Sequence, residues 1–158
     1  MRLRIRLTSR SANLADLIAD LPDELRKQAL THYSWVEDDR ASYKRLAFVG
    51  DSALSLFVAD ELNRRFPHCR PGRLTMIRSR VVCGNSCTEV GREVGVPGMV
   101  EAVEDSRHGG AVPAGILLEA ARPVGEMLEA LIGGSYLTFG FDRVRPAVLD
   151  AFERQIQA

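Results

Sequence analysis

The segment from Tyr43 to Phe66 constrains this chain more than any other. It contains no proline, it stops immediately before Pro67, and from Leu46 to Ala59 its apolar residues lie on nearly every side. Such a stretch reads as one long helix. A helix that is apolar nearly all round belongs inside its fold, covered on most sides by other elements.

The remaining elements are helical by the same periodicity. Leu14, Leu17, Ile18 and Leu21 make a short apolar face, opened by Ser11 or Asn13 as a cap. Pro22 starts a second helix, with Asp23 and Glu24 in its first turn and an end near Thr31. Trp35 to Ser42 is polar and reads as a loop, and His68 to Gly72 as a turn. Arg73 to Cys83 forms a basic amphipathic helix with Leu74, Ile77, Val81 and Val82 inward, and Asn85 to Val94 a further short one. Gly95 to Gly110 reads as loop. A helix then covers Ile116 to Tyr136, with a break near Pro123, and a last one runs from Asp142 to about Ile156. The fold class is all-α, in a single domain spanning 1–158.

Lys plus Arg and Asp plus Glu both number 21, so any nucleic-acid contact has to come from local clustering rather than net charge. No apolar run is long enough to span a bilayer. Met1 to Arg10 alternates basic and apolar residues without the apolar core of a secretory signal. Three cysteines, an odd number, point to a reducing compartment. The expected location is the cytoplasm. Cys83 and Cys87 lack the paired spacing of a zinc site.

Acids stand where a core is expected. Asp51 lies in the most apolar helix among Val49, Gly50, Ala53 and Leu54, and Glu126 and Glu129 share a face amid Val124, Met127, Leu128, Leu131 and Ile132. An isolated buried carboxylate costs roughly several kcal/mol unless paired, hydrated or bound to a metal. Oxygen ligands of this kind suit Mg²⁺ or Mn²⁺, ions that assist phosphodiester hydrolysis. The competing reading pairs the acids with bases: Arg122 is four before Glu126, and Arg45 is in reach of Asp51. Gly50 and Gly133, inside helices, point to close helix approach and fit a tight dimer.

Five blocks carry a resemblance. Arg45-Leu46-Ala47-Phe48-Val49-Gly50-Asp51-Ser52-Ala53-Leu54 resembles the signature N-E-R-L-E-F-L-G-D-S-V-L. Ala29 to Ser34 resembles A-L-T-H-R-S, and Arg64 to Pro67 an R-F-P helix end. Gly72 to Ser86 resembles a basic helix followed by G-N, and Glu126 to Leu137 resembles D-x-x-E-A-L-I-G-A-x-Y-L. Together, in order and spacing, they resemble the catalytic domain of the ribonuclease III family. The resemblance implies an all-α homodimer that cuts double-stranded RNA from a valley between subunits, one acidic centre per strand. It implies catalytic roles for Asp51 and Glu129, metal ligation by Asp51, Glu126 and Glu129, and insertion of Phe48 into the partner subunit. His32, in the upstream block, reads as a hydrogen-bonded structural residue, and Trp35 as packing near the loop.

The chain also departs from the pattern. The second signature Glu falls on Ala47, which cannot ligate a metal, and the first on Lys44; a further family acid falls on Pro71. Glu126 stands for an Asp. Lys44, Ala47 and Asp51 share one helical face, so a salt bridge from Lys44 to Asp51 or the glutamates is expected to compete with metal. The double-stranded-RNA-binding domain common in the family has no counterpart in 1–158, which leaves Arg73, Arg78 and Arg80, with Arg70, as candidate phosphate contacts. Two functions follow: a metal-dependent endoribonuclease with a degraded site, or a weak or inactive relative that holds structured RNA or a ribonucleoprotein.

Overall fold

The computed structural model describes residues 12–105 and 112–157; their regular elements are all helical, with no strand among them. The chain runs through α1 (Leu14–Ala19), α2 (Asp23–Ala29), 3-10 turns at Tyr33–Trp35 and Asp39–Ala41, and the long α3 (Lys44–Arg65). It continues through α4 (Pro71–Val81), α5 (Gly84–Val94), α6 (Val96–Asp105), α7 (Ala114–Glu119), α8 (Ala121–Phe139), α9 (Phe141–Ala151) and α10 (Glu153–Gln157).

Local chemistry sets most of the boundaries. Asn13 is the α1 cap: its Oδ1 accepts from Asp16 N at 2.9 Å, while the Asp16 carboxylate accepts from Asn13 N at 3.2 Å. The other candidate, Ser11, lies outside the described residues, as does the segment Met1 to Arg10. Pro71 occupies the first turn of α4, where its missing N–H is no loss, so the basic helix begins earlier than Arg73. Gly95 ends α5 in the left-handed region at φ 93°.

Three expectations need correction. The Gly95 to Gly110 loop is helix α6 from Val96 to Asp105, because Val96, Val100 and Val103 recur at helical spacing on a buried face; residues 106–110 lie outside the described set. The break in the next helix falls at Ala120, whose backbone is extended. Pro123 instead sits within the first turn of α8, where N–H groups lack helical acceptors anyway. The final helix is two, α9 and α10, separated at the fully buried Phe152.

The core is built around the crossing of α3 and α8. A Cβ on Gly50 would come within 1.7 Å of the Glu129 carbonyl oxygen, and one on Gly133 within 2.1 Å of the Leu46 carbonyl oxygen. The two backbones touch there, so the glycines serve an approach inside the chain. Helix α5 lies on another side of α8, where a Cβ on Gly91 would meet Val124 at 3.1 Å. Thr88 Oγ1 lies 2.8 Å from the carbonyls of both Gly84 and Ala121. Arg65 to Glu153, at 2.7 Å, and Arg145 to Asp60, at 2.8 Å, tie α10 and α9 to the far end of α3. Helix α3 is not enclosed on all sides: Phe48, Asp51, Ser52 and Leu56 are exposed, a strip at helical spacing along its outer face.

Candidate active site

The α3–α8 crossing positions the acids. Gly50 packs on the Glu129 carbonyl, so the neighbouring Asp51 and the Glu129 side chain emerge at the same mouth. Both line a cleft of about 620 Å³ together with His32, Tyr33, Tyr43, Lys44, Ala47, Phe48, Arg122, Pro123 and Glu126. The carboxylates expected to converge from two helices therefore share one cavity. The desolvation argument, however, applies to Glu129 and not to Asp51, which is exposed in the single chain.

Glu129 carries the electrostatic signature of the site. Burial first, then the negative charge of Asp51, push its carboxyl up to about 7; Cys87, in hydrogen-bond contact, pulls it down, and Glu126 adds to the rise. Among the described residues neither Asp51 nor Glu129 forms an ion pair: Arg122 is taken by Glu126 and Lys44 by the Tyr33 ring, although both cations line the same cleft. Burial and the Glu129 charge raise the Cys87 thiol in turn.

Glu126 is placed differently. Its Oε1 accepts from Arg122 Nε at 2.6 Å, and its Oε2 accepts a short hydrogen bond from the Tyr43 hydroxyl. The pairing with Arg122 anticipated from the four-residue spacing is present; that of Arg45 with Asp51 is not formed among the described residues. Tyr43 is buried, and its hydroxyl is raised well above the ordinary phenol range by that burial and by Glu126.

Lys44 does not bridge to the acids. Its ammonium sits 4.2 Å from the centre of the Tyr33 ring, a cation–π contact that satisfies it at the rim of the cleft. His32 is hydrogen-bonded, as read from the sequence: it is buried, and its Nδ1 accepts from Ser34 N at 3.2 Å and lies 2.8 Å from Ser34 Oγ. Trp35 donates from Nε1 to Val112 O at 2.7 Å across the loop. Pro71 is exposed at the start of α4, and Arg73, Arg78 and Arg80 lie on that helix without lining the acidic cleft. Phe48 is 79% exposed, the most exposed large apolar residue of the described chain, and lines both the acidic cleft and an adjoining one with Lys44, Arg45, Val49 and Asp39. Sequence reasoning missed Tyr43 and Cys87 as neighbours of the acids. Only their buried, long-range contacts identify them.

The same residues bear on whether a divalent cation fits. Among the described residues no three of His, Cys, Asp and Glu are arranged to hold a metal. Asp51 and Glu129 are nevertheless two carboxylates in one cleft, neither in an ion pair among the described residues. Mg²⁺ commonly takes only one or two carboxylates, filling its shell with water and substrate phosphate, so this reduced set fits it.

Comparison with known proteins defines the class. The family model described as ribonuclease-III-like matches residues 22–155, and the chain belongs to that family. It is 34% identical over 135 residues to ribonuclease 3 of Methylocella silvestris, covering 85% of this chain and 54% of that protein. It is 36% identical over 137 residues to ribonuclease 3 of Vibrio vulnificus, covering 86% and 56%. The chain thus spans about half the length of these curated relatives. A solved nuclease domain of ribonuclease III from Campylobacter jejuni, described as flexible in the region involved in dimer formation, superposes with a TM-score of 0.75 at 24% identity. That match covers 92% of this chain and 97% of the other and shows the same fold. No helix among the described residues is long and apolar enough to cross a membrane.

Proposed function

We propose that this chain is the nuclease domain of a cytoplasmic, homodimeric endoribonuclease that cleaves double-stranded or structured RNA feebly, using Mg²⁺ or Mn²⁺. The observation that carries the reading is the convergence of Asp51 and Glu129 in one cleft with neither in an ion pair among the described residues. Asp51 and Glu129 would hold the ion, which supplies Lewis acidity to activate water and offset phosphate charge. The half-buried position of Glu129 limits water around its carboxylate and so strengthens its hold on any positive charge. Arg73, Arg78 and Arg80 would take backbone phosphates at a distance from the acids. The exposed Phe48 would bury itself against a second copy across a two-fold axis, bringing two acidic clefts to one groove.

A second reading, an RNA-holding dimer with little or no cleavage, is favoured by one specific observation: Ala47 offers no ligand and both oxygens of Glu126 are engaged. Incubation with long double-stranded RNA and Mg²⁺ or Mn²⁺ decides between them. Short duplex products that vanish with Glu129→Ala support the enzyme. Retention of RNA without cleavage supports the second reading. The double change Lys44→Glu with Ala47→Glu adds carboxylates beside Asp51 on the same face of α3 and should raise cleavage; no gain in a folded variant counts against the degraded-site account.

A further inference from the structure

Glu126 stands within the acidic cleft with both carboxylate oxygens already engaged. Arg122 holds Oε1 at 2.6 Å and the Tyr43 hydroxyl holds Oε2. The two partners differ in kind. Arg122 is an exposed guanidinium, screened by solvent and free to move. Tyr43 is fixed: it is 1% exposed, its ring lies 5.8 Å from that of His32 and 6.5 Å from that of Tyr33, and its backbone N donates to Thr31 O at 3.0 Å. The phenol cannot follow the carboxylate if Glu126 turns toward Asp51 and Glu129. It would be left buried without its acceptor, which is unfavourable.

We propose that Tyr43, with Arg122 as its lesser partner, is a clamp that withholds the Glu126 carboxylate from a divalent cation, so that the cleft engages the ion through Asp51 and Glu129 alone. Tyr43 is thus a positioning residue that limits metal affinity and through it the strength of the site. This rests on the reading that the cleft takes a divalent cation.

The test is direct titration of the chain with Mn²⁺, followed by the electron paramagnetic resonance signal of the free ion, without RNA. Tyr43→Phe keeps the ring and changes no charge, so tighter binding reads the released carboxylate rather than general electrostatics. Gain of one carboxylate ligand is expected to tighten Mn²⁺ by about tenfold, and adding Glu126→Gln to Tyr43→Phe should erase that gain. Arg122→Ala should tighten binding less than Tyr43→Phe does. The clamp is overturned if Tyr43→Phe binds no more tightly than the parent. It is equally overturned if Glu126→Gln in the parent weakens Mn²⁺ tenfold, a comparison that holds whether or not Tyr43→Phe folds. Binding by the parent without tightening in Tyr43→Phe removes the clamp and leaves the metal reading standing. Binding by Tyr43→Phe alone upholds the clamp and removes the metal reading for the native chain, and binding by neither removes both.

Discussion

Glu129 makes the pH behaviour of this chain calculable in sign. Its folded carboxyl titrates near 7, above the ordinary value for a glutamate. Below both values the group is protonated in either state and costs nothing. As pH rises, the unfolded chain releases the proton first, so stability falls through the interval and the full penalty is present above about 7. Glu129→Gln is therefore expected to leave stability near pH 4 unchanged and to raise it at pH 8 by about 1–2 kcal/mol, allowing for solvent screening. Urea unfolding at the two pH values measures this, and equal effects at both would contradict it. Asp51→Asn should lower the Glu129 pKa, because the Asp51 charge is the second cause of the rise; titration followed by NMR of the Glu129 carboxyl reads that shift. The motif pointed to Asp51 and Glu129 without help. The Tyr43 bond to Glu126 and the position of Lys44 were not legible, because a side chain's partner is chosen by distance across the fold: Tyr43 meets Glu126 from the start of α3, and Tyr33 captures Lys44.

Among the elements, α3 and α8 carry both the stability and the chemistry. In an open helix, Gly→Ala adds about 1 kcal/mol. At Gly133 the new methyl would meet the Leu46 carbonyl oxygen at 2.1 Å, and at Gly50 the Glu129 carbonyl oxygen at 1.7 Å. Each change should instead destabilise by about 3 kcal/mol as the helices are forced apart. Gly115 in α7 has open space where a methyl group would stand, with nothing within 4 Å, so Gly115→Ala should be neutral to stabilising. Denaturation midpoints of the three variants compare these directly, and a mild effect at Gly50 and Gly133 would mean that the two backbones do not touch at the crossing. The glycines were readable as contact points from sequence. That the contact lies between α3 and α8 of one chain required the packing.

For the molecule as a whole, the outer strip of α3 is the feature that a single chain leaves uncovered. Phe48, which lines the acidic cleft, and Leu56, two turns further along α3, are exposed at 79% and 53%. A second copy packed on that strip would remove these side chains from water and bring two clefts together. Phe48→Asp is expected to shift the protein to monomer in analytical ultracentrifugation with its helical content kept. An unchanged sedimentation coefficient would place any self-association elsewhere.

By itself, the sequence determined that this chain is helical, that a long proline-free helix forms its axis, and that Asp51 and Glu129 belong to one site. Those properties follow from periodicity, local capping and motif spacing, which act over a few residues or are repeated along the chain. Tertiary structure alone decided that α3 keeps one face open, that residues 96–105 continue as helix against the core, and that Glu126 is bound by Tyr43. The physical reason is range. Burial and side-chain partners depend on which surfaces meet after the chain folds back on itself, and residues 83 positions apart, such as Tyr43 and Glu126, become neighbours only then.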